Sequence, residues 1–145
     1  MIKQVKPSRL LMGRLPKGAD LLEELNACCA REGITAGEVK AIGALERATL
    51  GFYDQQGRQY QYHQLDQPLE LVSLLGNVSL KDGEPFVHAH VVLGDDQGRL
   101  FGGHLAPGAP IFACEVMITV FDAAPPFERA FDEPTGLLLW PSAVD

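Results

Sequence analysis

FVHAHVVLGDDQGRLFGGHL, residues 86–105, carries His88, His90 and His104, three of the four histidines in a chain of 145 residues. Apolar β-branched residues surround the first pair, and GDDQG consists of turn formers, so the stretch reads as a β-hairpin. Residues i and i+2 of a strand project from one face, which sets His88 and His90 about 7 Å apart with Ala89 pointing the other way. If Gly94 pairs with Gly98 around a three-residue turn, His88 faces His104, and Gly102 stands opposite His90 and leaves room for a ligand. A slip of one residue would throw His104 onto the other side of the sheet. Three imidazoles on one face suit zinc or another borderline divalent cation, with a fourth position open to water, substrate or a neighbouring subunit. The plainer alternative is three polar strand residues bonded to neighbours or water.

Outward from the hairpin, strand patterns dominate. SRLLMGR (8–14) predicts a first strand, and PKGAD supplies a turn ending in Asp20, a good N-cap. LLEELNACCAREG then places Leu21, Leu22, Leu25, Cys28 and Cys29 at helical spacing and stops at Gly33. VKAIGAL, ATLGFYD, RQYQYHQL, LELVSLLGNVSL and IFACEVMITVFD read as further strands. In RQYQYHQL, Tyr60 and Tyr62 share one face while His63 joins the glutamines on the other. LELVSLLGNVSL is almost continuously apolar, which predicts a central strand with a layer on each face, and its Gly76 marks a bulge or a close backbone approach. AAPPFERAFDEPTG is proline-rich and predicts an irregular tail closed by the apolar LLLWP. The expected architecture is one α/β domain over residues 1–145.

Composition narrows the function. An apolar fraction of 46% and a charged fraction of 21% describe a globular protein, and no apolar run reaches the roughly 20 residues that span a bilayer. The start, MIKQVKPSRLLMG, lacks the apolar segment of a secretory signal, so a cytoplasmic protein is expected. Cys28, Cys29 and Cys114 are odd in number and show no CxxC spacing, which argues for small buried apolar residues rather than disulfides or a cysteine zinc site. A net charge of −7 would repel a phosphate backbone. Asp95 and Asp96 fall in the hairpin turn, where aspartate bonds locally to backbone. Gly102-Gly103 has no phosphate-loop spacing and fits close strand packing. Glu115, between apolar strand neighbours, is read either as an outer partner that orients a metal-bound histidine or as a rim or subunit-interface ion pair.

HAHVVLGDDQGRLFGGHL also resembles the signature of the plants-and-prokaryotes-conserved (PPC) domain, a HAH-x-x-L segment followed by GGHL. The match lies at His88 to His90, Leu93 and Gly102 to Leu105. VKAIGALERATLGFYD, around Gly43, and CEVMITVFD resemble further strands of that family. The resemblance implies an α/β sandwich, a mixed and mostly antiparallel sheet flanked by one main helix, assembled as a homotrimer. It implies a divalent metal, zinc, at His88, His90 and His104. It also brings a DNA-binding label from plant relatives that join this domain to basic AT-hooks, but no RGRP-type hook occurs here and the charge opposes specific DNA binding. The expected function is a trimeric binding or regulatory module with a small molecule or protein as ligand. The alternatives are a metal-dependent enzyme on a small molecule and a DNA-binding protein.

Overall fold

A computed structural model describes residues 2–142; Met1 and residues 143–145, the ends of the expected domain, lie outside them. The elements in chain order are β1 (Lys6–Leu15), α1 (Leu21–Arg31), β2 (Gly37–Leu45), β3 (Ala48–Asp54), β4 (Gln59–Leu65), β5 (Leu69–Lys81), β6 (Glu84–Gly94), β7 (Leu100–Ala106), β8 (Ile111–Asp122), β9 (Ala130–Asp132) and β10 (Leu137–Leu139). β1 to β8 form one sheet in the order β1-β8-β2-β5-β6-β7-β3-β4, and β9 pairs with β10. The ladders of the eight-stranded sheet are all antiparallel. Among the described residues, parallel pairing is confined to an isolated bridge between Leu80 and Glu128.

α1 covers one face of the sheet. Its Leu21, Leu25 and Cys29 are fully buried against Val87, Ala89 and Leu93 of β6 and their neighbours in β2 and β5. The spacing of those three residues puts them on one helical stripe, and each large apolar side chain so buried contributes about 1.5–3 kcal/mol. Asp20 starts the helix as expected: its Oδ1 accepts from the Leu22 and Glu23 amides at 3.1 Å each. Its Oδ2 also accepts from the Gly108 and Ala109 amides at 2.7 and 2.8 Å, which ties the helix to the β7–β8 connection.

Two expectations change. The apolar run of β5 predicts cover on both faces, yet Leu71, Leu74 and Val78 are buried while Val72 and Leu75 are 50% and 58% exposed. The helix layer lies on one side, and on the other face the tail covers only the part beside Asn77 and His88, leaving Val72 and Leu75 open in a single chain. The tail is not irregular throughout. Leu80 donates to the Phe127 carbonyl and Arg129 donates to the Leu80 carbonyl, both at 2.8 Å, which docks the tail on the end of β5 before it turns through β9 and β10. Its pattern was hidden because three-residue strands are too short to show a period. Gly76 makes the expected close approach: a Cβ there would stand 2.7 Å from the His88 carbonyl oxygen.

Asp20 satisfies four amides at once, so Asp20→Ala is expected to lower stability by about 2 kcal/mol or more, read as a shift of the denaturant midpoint. A shift below about 0.5 kcal/mol would show that solvent replaces those bonds without loss.

Candidate metal centre

Antiparallel register draws one continuous row across the whole sheet. It runs Met12, Met117, Lys40, Leu75, His90, His104, Gly51, Tyr62, each paired with the next. Side chains in such a row share a face, and this is the face opposite α1. His88 lies two residues before His90 on β6, opposite Asn77 of β5. The three imidazoles therefore converge from two adjacent strands.

The partners within the hairpin differ from the expected ones. His90, not His88, faces His104, and Gly102 faces Val92. The turn explains the difference. Its three-residue loop closes between Asp95 and Arg99, whose amide and carbonyl bond at 3.0 Å, rather than between Gly94 and Gly98. That position puts Gly98, at φ 75°, at the left-handed end of the loop, where closure by Gly94 and Gly98 would require Gln97. Asp95 secures it by accepting from the Gln97 and Arg99 amides at 2.9 Å each and pairing with the Arg99 Nε at 2.6 Å. The displacement is one residue on each strand, so the faces are preserved. The glycine paired with His104 is Gly51, and the room it leaves is taken by the Tyr60 ring, which a Cβ there would meet at 3.1 Å.

One donor nitrogen from each of His88, His90 and His104 lies within 4.8 Å of the others. The ring centroids are 5.0 to 5.5 Å apart. A tetrahedral metal at about 2.0–2.1 Å from each nitrogen would bring the donors to about 3.4 Å of one another, by rotation of the side chains. The Nδ1 of His104 is buried and has no hydrogen-bond partner, an arrangement that costs free energy unless something else binds there. Burial, then His104, Arg129 and His90, push the His88 pKa down to about 4. Burial, then His90 and Arg129, lower that of His104. Neutral imidazoles are the form that ligates a cation, so the donor set fits a borderline divalent metal.

The remaining candidates separate cleanly. His63 is exposed and pairs with Leu50, which points into the core, so it lies on the face away from the cluster. Glu115 is exposed on β8, three strand spacings from β6, or about 14 Å. Within one chain it does not reach the imidazoles. Cys28, Cys29 and Cys114 are free, and burial pushes Cys29 up to about 12 and Cys114 up to about 11. Gly103 fits close packing, with a Cβ there 3.1 Å from the Gly51 carbonyl oxygen. Two neighbours of the histidines were missed. Tyr60 lies 5.1 Å from His104 between ring centroids. Arg129, from the tail, donates to the Asn77 Oδ1 at 2.9 Å, directly beside His88. The tyrosine's face was legible in its alternation, but nothing local to Arg129 announces its partner.

The profile of the Plants and Prokaryotes Conserved (PCC) domain matches residues 2–122. A metal-containing protein from Archaeoglobus fulgidus is 42% identical, with a TM-score of 0.92 over 98% of this chain and 99% of its own. A plant- and prokaryote-conserved protein from Pyrococcus horikoshii is 36% identical, with a TM-score of 0.93 over 99% of each chain. A Ralstonia eutropha protein provisionally named DNA-binding is 26% identical, with a TM-score of 0.81 over 90% of each chain. Among curated sequences, the bifunctional protein GlmU of a Synechococcus strain is 36% identical over 126 residues, 86% of this chain and 19% of its own length. The chain thus spans about a fifth of the curated relatives it matches.

Proposed function

This chain belongs to the Plants and Prokaryotes Conserved domain family, and from that premise we propose that it is a homotrimeric binding and regulatory module, a single domain over residues 1–145, that holds one zinc ion on His88, His90 and His104. The observation that carries the reading is the convergence of three imidazoles on one face, with the His104 Nδ1 buried and unpartnered. The metal-containing Archaeoglobus relative supports it. When bound, zinc supplies Lewis acidity and an open fourth position. The chain's own contribution is to hold three neutral imidazoles on a rigid sheet and to shelter His104 behind Tyr60. A metal-dependent enzyme is the second reading, favoured by a cleft of about 530 Å³ that His88 and His104 help to line.

The trimer is supported by the open sheet face. Leu10, Met12, Leu75, Ile42 and Met117 are 77%, 82%, 58%, 48% and 39% exposed on it, an apolar set that contact between subunits would cover. Glu115, next to Met117 along that face, serves the interface between subunits in this reading. The proposed compartment is the cytoplasm, consistent with three free cysteines. No helix among the described residues is long and apolar enough to cross a membrane. Specific DNA binding is not part of the proposal, since a net charge of −7 gives little to neutralise phosphates.

Three measurements test this reading. Replacing His88, His90 or His104 with alanine is expected to lower zinc affinity by more than the about 10- to 100-fold that losing an outer partner costs, while His63→Ala leaves zinc content unchanged and the metal-free protein stays folded. His104→Ala retaining full stoichiometry and affinity would overturn the site. Light scattering at micromolar concentration is expected to report three chains, and a monomer there defeats the trimer. Duplex DNA is expected to bind no tighter than about micromolar at physiological salt, and nanomolar affinity would restore the DNA reading.

A further inference from the structure

The cleft beside the histidines has a charge opposite to that of the chain. Its walls include Arg58 and Arg129 together with His88 and His104, and no aspartate or glutamate, although the chain carries 19 acidic against 12 basic residues. Arg129 is half-buried and is tied to neutral groups. Its Nε donates to the Ser79 hydroxyl at 3.0 Å, one terminal nitrogen to the Leu138 carbonyl at 3.0 Å, and the other to the Asn77 side chain at 2.9 Å. Among the described residues it has no carboxylate partner. A guanidinium has five N–H donors, so these bonds leave two of them free. Its carbon sits 5.2 Å from the Phe86 ring centroid and 5.7 Å from that of Trp140, which orients the group. A half-buried cation without a counter-charge is costly, and an anion bound beside it removes that cost.

The opposite wall is aromatic. Tyr60 lies 5.1 Å from Tyr53, 5.9 Å from Tyr62 and 5.1 Å from His104 between centroids. The tail closes the remaining side: the Tyr53 hydroxyl donates to the Thr135 carbonyl at 2.7 Å and Arg58 donates to the Glu133 carbonyl at 3.2 Å, which holds residues 136–139 over the cleft. Two arginines, the aromatic wall and two of the three histidines line one small volume.

We propose that this cleft receives a small organic oxyanion. Its carboxylate or phosphate lies between the metal held by the histidines and the free donors of Arg129, and its flat or apolar body lies along Tyr60. The proposal deepens the metal reading above and rests on it for one of its two anchors. Arg129 and Arg58 act here as binding residues. If Arg129 served only to latch the tail to β5, loosening the tail without removing a charge would weaken anion binding as much as replacing Arg129 does.

The test uses the full chain, zinc-loaded and zinc-free, titrated with benzoate, phenyl phosphate and the neutral benzamide. Binding is read by calorimetry and by the fluorescence of Trp140, the only tryptophan, which packs over Arg129. Saturable one-to-one binding of benzoate or phenyl phosphate, not shared by benzamide and weakened about tenfold or more in Arg129→Gln, is the expected result, and the tighter probe identifies the anion. Arg58→Gln tests the second cation; because Arg58 also donates to the Glu133 carbonyl, Tyr53→Phe, which breaks the bond to the Thr135 carbonyl without removing a charge, is the control for tail detachment and is expected to keep anion affinity. The proposal is overturned if neither anion binds below about 10 mM, if benzamide binds equally, or if both arginine variants keep full affinity. Zinc bound to the histidines without anion binding sinks this proposal and leaves the metal reading standing. Arginine-dependent anion binding to a chain that takes up no zinc sinks the metal reading and the metal anchor with it, and leaves only the arginine anchor standing.

Discussion

Gly98, at φ 75°, occupies the left-handed end of the β6–β7 turn, and Asp95 locks that turn through two amides and the Arg99 side chain. The rest of the histidine face depends on this closure. It sets His90 against His104, and every further pairing then carries the row outward to Met12 on one edge and Tyr62 on the other. Because side chains alternate with period two, a closure displaced by a single residue on both strands keeps the three imidazoles together, whereas a slip on one strand alone would separate them. The centre is therefore tolerant of the exact partner and intolerant of parity.

A single helix covering an eight-stranded sheet creates the second constraint. β6 must serve two environments: Ala89 and Val87 face the helix while His88 and His90 face away from it. The small Ala89 suits this, since the neighbouring strand approaches closely at Gly76. The uncovered face is then shared between the histidines and cleft at one end and an exposed apolar stretch around Met12, Met117 and Leu75 at the other. β5 joins the two ends of this face, with Leu75 opposite His90 and Asn77 opposite His88.

The tail supplies what the sheet lacks. A three-histidine face alone is open to water, and the hairpin of β9 and β10 narrows it into a cleft while delivering the only half-buried arginine beside the histidines among the described residues. Carrying that cation on a segment docked through Leu80 lets an acidic protein present a locally positive pocket, where low dielectric strengthens the attraction for a small anion.

Local patterns in the chain determined much of this protein. Asp20 and the apolar spacing of Leu21, Leu25 and Cys29 define the helix, alternation defines the strands and puts Tyr60 and Tyr62 on one face, and the HAH spacing with a glycine-bearing turn is enough to gather His88, His90 and His104. These features are written in neighbouring residues, and short-range backbone sterics read them directly. Tertiary structure alone decided the rest. Whether β5 has cover on both faces depends on the number of layers, which its apolar run does not encode. Glu115 stands about 14 Å from β6 because strand order, not strand composition, sets that distance. Arg129 reaches Asn77 across 52 positions of chain, and a contact between segments so far apart leaves no periodic signal at either end. The physical division is between interactions made within a turn or a strand, which the local sequence carries, and those made by packing distant strands side by side, which exist only once the whole sheet has formed.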